Sequence, residues 1–81
     1  MSLKLKIVSP EKVVYEGEVD SVLVPGTKGQ FEILMGHAPI ISTLEKGSVR
    51  FTPKDGECQY VQVLNGFVEV HSNNVSICAE L

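Results

Sequence analysis

The sequence has no tryptophan, two cysteines, two histidines and no unbroken apolar run longer than three residues. Each shortage removes a class of protein. Runs such as Val22–Val24 and Ile33–Met35 fall far short of the roughly 20 apolar residues that a membrane-spanning helix requires, so direct membrane insertion is not expected. Positive charge is thin as well, with seven Lys and Arg against ten Asp and Glu and a net charge of −3 at pH 7. Lys4, Lys6, Lys12, Lys28, Lys46, Lys54 and Arg50 are scattered, whereas a phosphate backbone is gripped by clustered cations. Nucleic acid is therefore not an expected partner. The first residues do not follow the pattern of basic start, apolar centre and small-residue cleavage site, which gives the expectation of a cytoplasmic chain. In that setting Cys58 and Cys78 are expected as buried or half-buried free thiols and not as a disulfide.

Helical spacing is also missing: nowhere do apolar residues recur at positions i, i+3 and i+4 over ten or more residues. What is present is alternation. Leu3-Lys4-Leu5-Lys6-Ile7 alternates apolar and charged residues, the pattern of a strand with one buried and one wet face. Ser9–Lys12 reads as a turn, Val13–Tyr15 as resumed strand, and Glu16-Gly17-Glu18 as a second turn or a bulge. Val19–Val24 is the next strand, with apolar residues on both phases, as expected of a strand covered on both sides towards its end. Short strands are expected at Gln30–Leu34 and Ile40–Leu44, then Ser48–Thr52. Pro53–Gly56 reads as a hairpin turn with Pro at its second position, and Glu57–Leu64 as the returning strand with Val61 and Val63 on one face. Asn65-Gly66 is a strong two-residue hairpin signal, followed by a strand at Phe67–His71, a turn at Ser72–Asn74 and a strand at Val75–Cys78. The expected fold is all-β: one domain over residues 1–81, a flattened two-sheet β-sandwich of about eight to ten short strands or a partly closed barrel. With 43% hydrophobic residues such a chain packs a core, though a thin one at 81 residues.

The pattern breaks between Pro25 and Gly47, where two of four prolines, four of seven glycines and one of two histidines gather. Irregular segments on a regular scaffold are where function concentrates. Catalysis is a poor reading of this one. His37 has no recognisable acidic partner to orient it, and Cys58 and Cys78 lie in expected strands, so a loop histidine that hydrogen-bonds backbone and fixes a turn is the better account. His37, Cys58, His71 and Cys78 are separated by 21, 13 and 7 residues, which contains no paired-ligand spacing for zinc. Gly26-Thr27-Lys28-Gly29 lacks both the spacing and the following helix of a phosphate loop. No catalytic residue, cofactor or metal is expected. Lys28 and Lys54 sit in turns, as the modified lysine of a lipoyl or biotinyl carrier domain does. Neither has the Asp-Lys-Ala or Met-Lys-Met surroundings of those carriers, which leaves a carrier as the alternative reading.

Read whole, the middle of the chain resembles the N-terminal domain of the epsilon subunit of F-type ATP synthases. The resemblance rests on Pro25-Gly26, Gly29, Ile33, Gly36-His37-Ala38-Pro39, Ile40-Ile41, Leu44 and Gly47 in matching register. Val8-Ser9-Pro10-Glu11 and Tyr15-Glu16-Gly17 upstream, with Gly66-Phe67-Val68-Glu69-Val70, Asn74-Val75 and Ala79-Glu80 downstream, extend it over nearly the whole chain. Two positions depart from the family pattern: Glu32 stands where Gly is usual and Met35 where Pro is usual.

The resemblance implies a β-sandwich on the rotor's central stalk that packs against the gamma subunit and touches the polar loops of the c-subunit ring. It implies a non-catalytic subunit that couples ion translocation to ATP synthesis, peripheral on the cytoplasmic face of the membrane. Gly26, Thr27, Lys28, Gly29, Gln30 and Phe31 are the expected c-ring contact, and His37, Ala38, Pro39, Ile41 and Ser42 the expected gamma contact. The family's nucleotide-binding and inhibitory roles belong to a C-terminal helical hairpin, so nucleotide binding is not expected within Met1–Leu81.

Overall fold

The alternation that opens the sequence becomes the first strand, β1 (Leu3–Val8), with Leu3, Leu5 and Ile7 buried and Lys4 and Lys6 exposed. The computed structural model describes residues 2–81. Among the described residues seven further strands follow: β2 (Val13–Val24), β3 (Phe31–Ile33), β4 (Ile40–Leu44), β5 (Gly47–Pro53), β6 (Gln59–Val63), β7 (Asn65–His71) and β8 (Asn74–Glu80). They hydrogen-bond into one sheet in the order β4-β7-β8-β1-β2-β5-β6, with β3 added to β2. Neighbours are antiparallel except β1 and β8, which run parallel.

The long strand β2 makes two layers out of this one sheet. Its edge carries β1 along Val13–Val19 and then β3 along Val22–Val24, while the opposite edge carries β5 from Val19 to Leu23. The first part of β2 thus continues the β4-β7-β8-β1 half, and its last part belongs with β3, β5 and β6. All eight strands send side chains into a single core, in which Phe51 is the largest fully buried residue and stacks against Tyr15 at 4.4 Å between ring centroids. The fold is the expected all-β sandwich, with a strand count inside the expected range.

Bulges set the facing of β2. Val19, Val22 and Val24 are all buried, which strict alternation forbids because 19 and 22 differ by an odd number. The register jumps from Val19↔Pro53 to Ser21↔Thr52, leaving Asp20 unpaired, and one extra residue returns the next apolar side chains to the core. Coverage on both faces is therefore not the reason for the two apolar phases. A second irregularity leaves Val14 unpaired between Ile7↔Tyr15 and Val8↔Val13.

Several local expectations give way to tertiary pairing. Glu16-Gly17-Glu18 is neither turn nor bulge: the strand runs through, with Leu5 opposite Gly17. Glycine stands there because a Cβ would lie 2.9 Å from the Tyr15 hydroxyl, whose ring folds back over it. Asn65-Gly66 is not a hairpin either. β6 pairs with β5, whereas β7 pairs with β4 and β8, so the chain changes layers at Leu64. The tight two-residue hairpin lies at Ser72-Asn73, whose φ values of 49° and 63° match a type I′ turn. Pro53 is the last residue of β5 and the first of its turn, closed by the Gly56 amide donating to the Pro53 carbonyl at 3.2 Å. Cys58 is exposed in the loop before β6, contrary to the expected burial, while Cys78 is half-buried and both thiols are free.

Gly66 carries the closest backbone approach. A Cβ there would overlap the Cys78 carbonyl oxygen and lie 2.9 Å from the Ala79 Cα, groups that cannot swing aside because β7 and β8 are paired through Gly66↔Ala79. Gly66→Ala is expected to lower unfolding free energy by about 2–3 kcal/mol. Gly17→Ala, which meets the Tyr15 side chain and no backbone, is expected to cost less, about 1 kcal/mol. Urea melts of both variants, run side by side, check the contrast.

Candidate functional site

The irregular Pro25–Gly47 stretch forms one wall of the sandwich, and its conformation follows from a few local devices. After β2 the chain turns at Gly26–Gly29, closed by the Gly29 amide donating to the Gly26 carbonyl at 2.9 Å. At the start of this turn, Pro25–Thr27 run alongside the free edge of β4. Gly26 bridges Leu44, the Thr27 amide donates to the Thr43 carbonyl at 3.1 Å, the Glu45 amide donates to the Pro25 carbonyl at 2.9 Å, and the Thr27 and Thr43 hydroxyls share a 2.8 Å hydrogen bond. These bonds cover an edge that otherwise offers unpaired backbone groups.

Beyond β3 the chain makes a turn at Leu34–His37, with the His37 amide donating to the Leu34 carbonyl at 3.1 Å and Gly36 at φ 85°. Positive φ at the third position alone is the mark of a type II turn, which needs glycine there and tolerates many residues at the second. Met35, the position at which the resemblance set out above has proline, is therefore accommodated: Gly36 supplies the demanding backbone. The His37 ring lies 6.2 Å from the Phe31 ring between centroids, and its Nδ1 is 2.7 Å from the Ala38 carbonyl. Since a carbonyl only accepts, the proton sits on Nδ1. This is the backbone-bonded loop histidine expected from the sequence.

The two expected contact sets are neighbours and not opposite faces. One groove of about 660 Å³ is lined by Thr27, Lys28, Gly29, Gln30 and Phe31 on one side and by Ile40, Ile41, Ser42 and Thr43 on the other. Pro39 joins Ile40 and Ile41 in an adjoining depression beside Glu69 and His71. Ile41 points outward at 73% exposure, while Ser42 is half-buried on the core-facing phase of β4 and its hydroxyl donates to the Thr43 carbonyl. Phe31 is half-buried against the core, and Gln30 is exposed. Leu34 and Met35, at 51% and 47% exposure, add apolar surface to the wall. Neither belongs to the contact sets expected from the sequence, although apolar residues in an irregular loop are a usable signal.

A second feature lies on the outer face of β4-β7-β8-β1. Register places Thr43 opposite Phe67, Phe67 opposite Cys78 and Cys78 beside Val8. Phe67 is 47% exposed, so a row with apolar members crosses the face from the wall. Farther along the sheet, Glu18 and Lys4 are paired across β2 and β1. The Glu18 carboxylate accepts from the Ser2 hydroxyl at 2.8 Å. That bond first, and then the charges of Lys54 and Lys4, hold its carboxyl below the usual glutamate range. Among the described residues no group of three or more His, Cys, Asp or Glu side chains is placed to hold a metal ion, and no helix is long and apolar enough to cross a membrane.

A curled all-β sandwich with one side built as an irregular, partly apolar wall places the chain in a class of small β-sandwich domains. Comparison with known proteins gives that class its family. The profile of the ATP synthase delta/epsilon-chain β-sandwich domain matches residues 2–81, and the chain belongs to this family. The ATP synthase epsilon chain of Leptospira interrogans serovar copenhageni is 44% identical over 78 residues, which cover 96% of this chain and 61% of that one. The epsilon chain of Chlorobium limicola is 40% identical over 79 residues, covering 98% and 90% respectively. This chain thus spans about three-fifths of the length of the Leptospira relative and nearly all of the Chlorobium one. The fold matches a chain in the Euglena gracilis mitochondrial ATP synthase assembly of OSCP, F1 and c-ring with a TM-score of 0.90 at 18% identity, covering 96% of this chain and 50% of that one. It also matches a chain in the central stalk and c-ring of the Tetrahymena thermophila enzyme with a TM-score of 0.81 at 15% identity, covering 100% and 65%.

The surroundings of Glu18 have a measurable consequence. A carboxyl with a lowered folded-state pKa adds stability above its unfolded pKa, and that contribution disappears as pH falls through the folded value. Ser2→Ala removes the largest cause, so the Glu18 titration followed by NMR is expected to move back up towards the ordinary glutamate value. A Glu18 midpoint unaffected by the substitution contradicts this assignment.

Proposed function

We propose that this chain serves as the β-sandwich of the central stalk in an F-type ATP synthase, joining the gamma subunit to the c ring on the cytoplasmic face of the membrane. In this role it carries out no bond chemistry and binds no nucleotide; it couples ion translocation to ATP synthesis by holding two moving partners in fixed relation. The observation that carries the reading is the wall from Gly26 to Thr43, irregular in backbone and apolar at Leu34, Met35 and Ile41, in a chain of this family.

Physical scale argues for more contact surface than the wall alone. A standard interface takes about 800 Å² and some 20–30 residues per partner. Against a total surface of 4936 Å², two such contacts occupy roughly a third of the molecule. Gly26 is buried, but Thr27, Lys28, Gly29 and Gln30 are exposed, and a polar turn of this kind suits the polar loops of the c ring. His37, Ala38, Pro39, Ile41 and Ser42 suit gamma, with that contact continuing across Thr43, Phe67, Cys78 and Val8 on the outer face. The two areas adjoin at the groove. A twisted hydrogen-bonded sheet folded over a packed core is stiff enough to transmit load between them.

Affinity purification of the chain from its native host is expected to recover gamma, the catalytic subunits and the c ring. Recovery of a biotinyl or lipoyl transferase, with added mass on Lys28 or Lys54, contradicts the proposal and favours the carrier reading. Gln30→Ala, at an exposed position away from the core, is expected to weaken c-ring association while leaving the gamma complex intact. Loss of gamma instead means that the two contacts are interchanged. Titration with ATP is expected to give no saturable binding in the micromolar range.

A further inference from the structure

The loop at Leu34–Pro39 carries His37, Ala38 and Pro39, yet its own hydrogen bonds are local. The His37 amide reaches back to Leu34 and the His37 ring reaches forward to Ala38. Among the described residues one bond ties the loop to the body of the sandwich: the Gly36 amide donates to the Asn73 Oδ1 at 2.8 Å, across 37 positions of sequence. Asn73 is itself held on two sides. It is the second residue of the tight turn between β7 and β8, at φ 63°, and its carbonyl accepts from the Lys4 amide of β1 at 2.9 Å. A side chain on so fixed a backbone is a rigid post.

The residue type meets two demands at once. Left-handed backbone is open to glycine, asparagine and aspartate and costly for most others. A carbonyl acceptor one bond beyond Cβ is supplied by asparagine and aspartate and not by glycine. We propose that Asn73 is a positioning residue for partner docking: its side-chain carbonyl fixes Gly36, and through Gly36 the presentation of His37 and its neighbours to the gamma subunit. This rests on the gamma contact proposed above. It adds that a residue 37 positions farther along the sequence sets the geometry of that contact.

The test separates the acceptor from the turn. Asn73→Gly keeps the left-handed turn and removes the acceptor, whereas Asn73→Asp keeps both. In Asn73→Gly, hydrogen exchange at the Gly36 amide is expected to accelerate about five- to tenfold, the scale of one lost hydrogen bond. Exchange within β1, β7 and β8 stays unchanged, and binding to purified gamma subunit weakens by a similar factor. Asn73→Asp restores both. Unchanged exchange at Gly36 in the glycine variant overturns the clamp, as does failure of aspartate to restore it. His37→Ala supplies the control on the underlying contact. If it weakens gamma binding while Asn73→Gly loosens the loop without doing so, the positioning role falls and the contact stands. If neither variant affects gamma binding, the contact and the positioning role fall together.

Discussion

The sandwich depends on β2. Its twelve residues form the one strand that runs through both layers, pairing with β1 and β3 along one edge and β5 along the other. A strand shared in this way must keep its apolar side turned inward while the sheet curls over, and perfect alternation cannot do that. The unpaired Asp20 resolves the conflict by inserting one residue, which strengthens local twist and restores Val22 and Val24 to the core on the far side of the bend. Without that insertion the side chains after Val19 would change faces, and the core would lose Val22 and Val24.

Closure of the sheet determines where its irregular wall lies. The strand order ends in β4 on one side and β6 on the other. The β4 end is stitched to the residues that follow β2 through Gly26, Thr27 and Pro25. That stitching converts a connecting loop into a wall and brings Gln30 and Phe31 into one groove with Ile41 and Ser42. The next turn, at Leu34–His37, is then fastened to the β7–β8 hairpin through Asn73. An irregular stretch of chain is thus anchored at both ends by a regular body, which is how a surface with few hydrogen bonds of its own holds a defined shape.

Such a design suits the contact role proposed above. A chain of 81 residues has a folding free energy of roughly 4–12 kcal/mol, and removing the Phe51 side chain alone would consume roughly 3–5 kcal/mol of it. Little is left over for strain or buried polar networks, and among the described residues no polar or charged side chain is buried. Surface chemistry is therefore built from exposed apolar side chains and turn backbones, which cost the core little. Partner binding adds to stability by mass action, so a thin core would be less of a handicap in the assembly role proposed above.

Period-two alternation of Leu3, Leu5 and Ile7, of Val49 and Phe51, and of Val75 and Ile77 determines by itself that the chain is all-β and which side of most strands is buried, because a pleated strand leaves no other facing. The Gly-His-Ala-Pro segment likewise makes the irregular wall and its family legible. Pairing was decided elsewhere. Asn65-Gly66 carries the residue preference of a hairpin, yet β6 and β7 belong to different layers, and Gly17 sits in a continuous strand because Tyr15 covers it. Neither the adjacency of the two contact sets nor the bond from Asn73 to Gly36 can be read along the chain. Local preference acts over a few residues, whereas these features join positions that meet only when the sheet has curled and the core has closed.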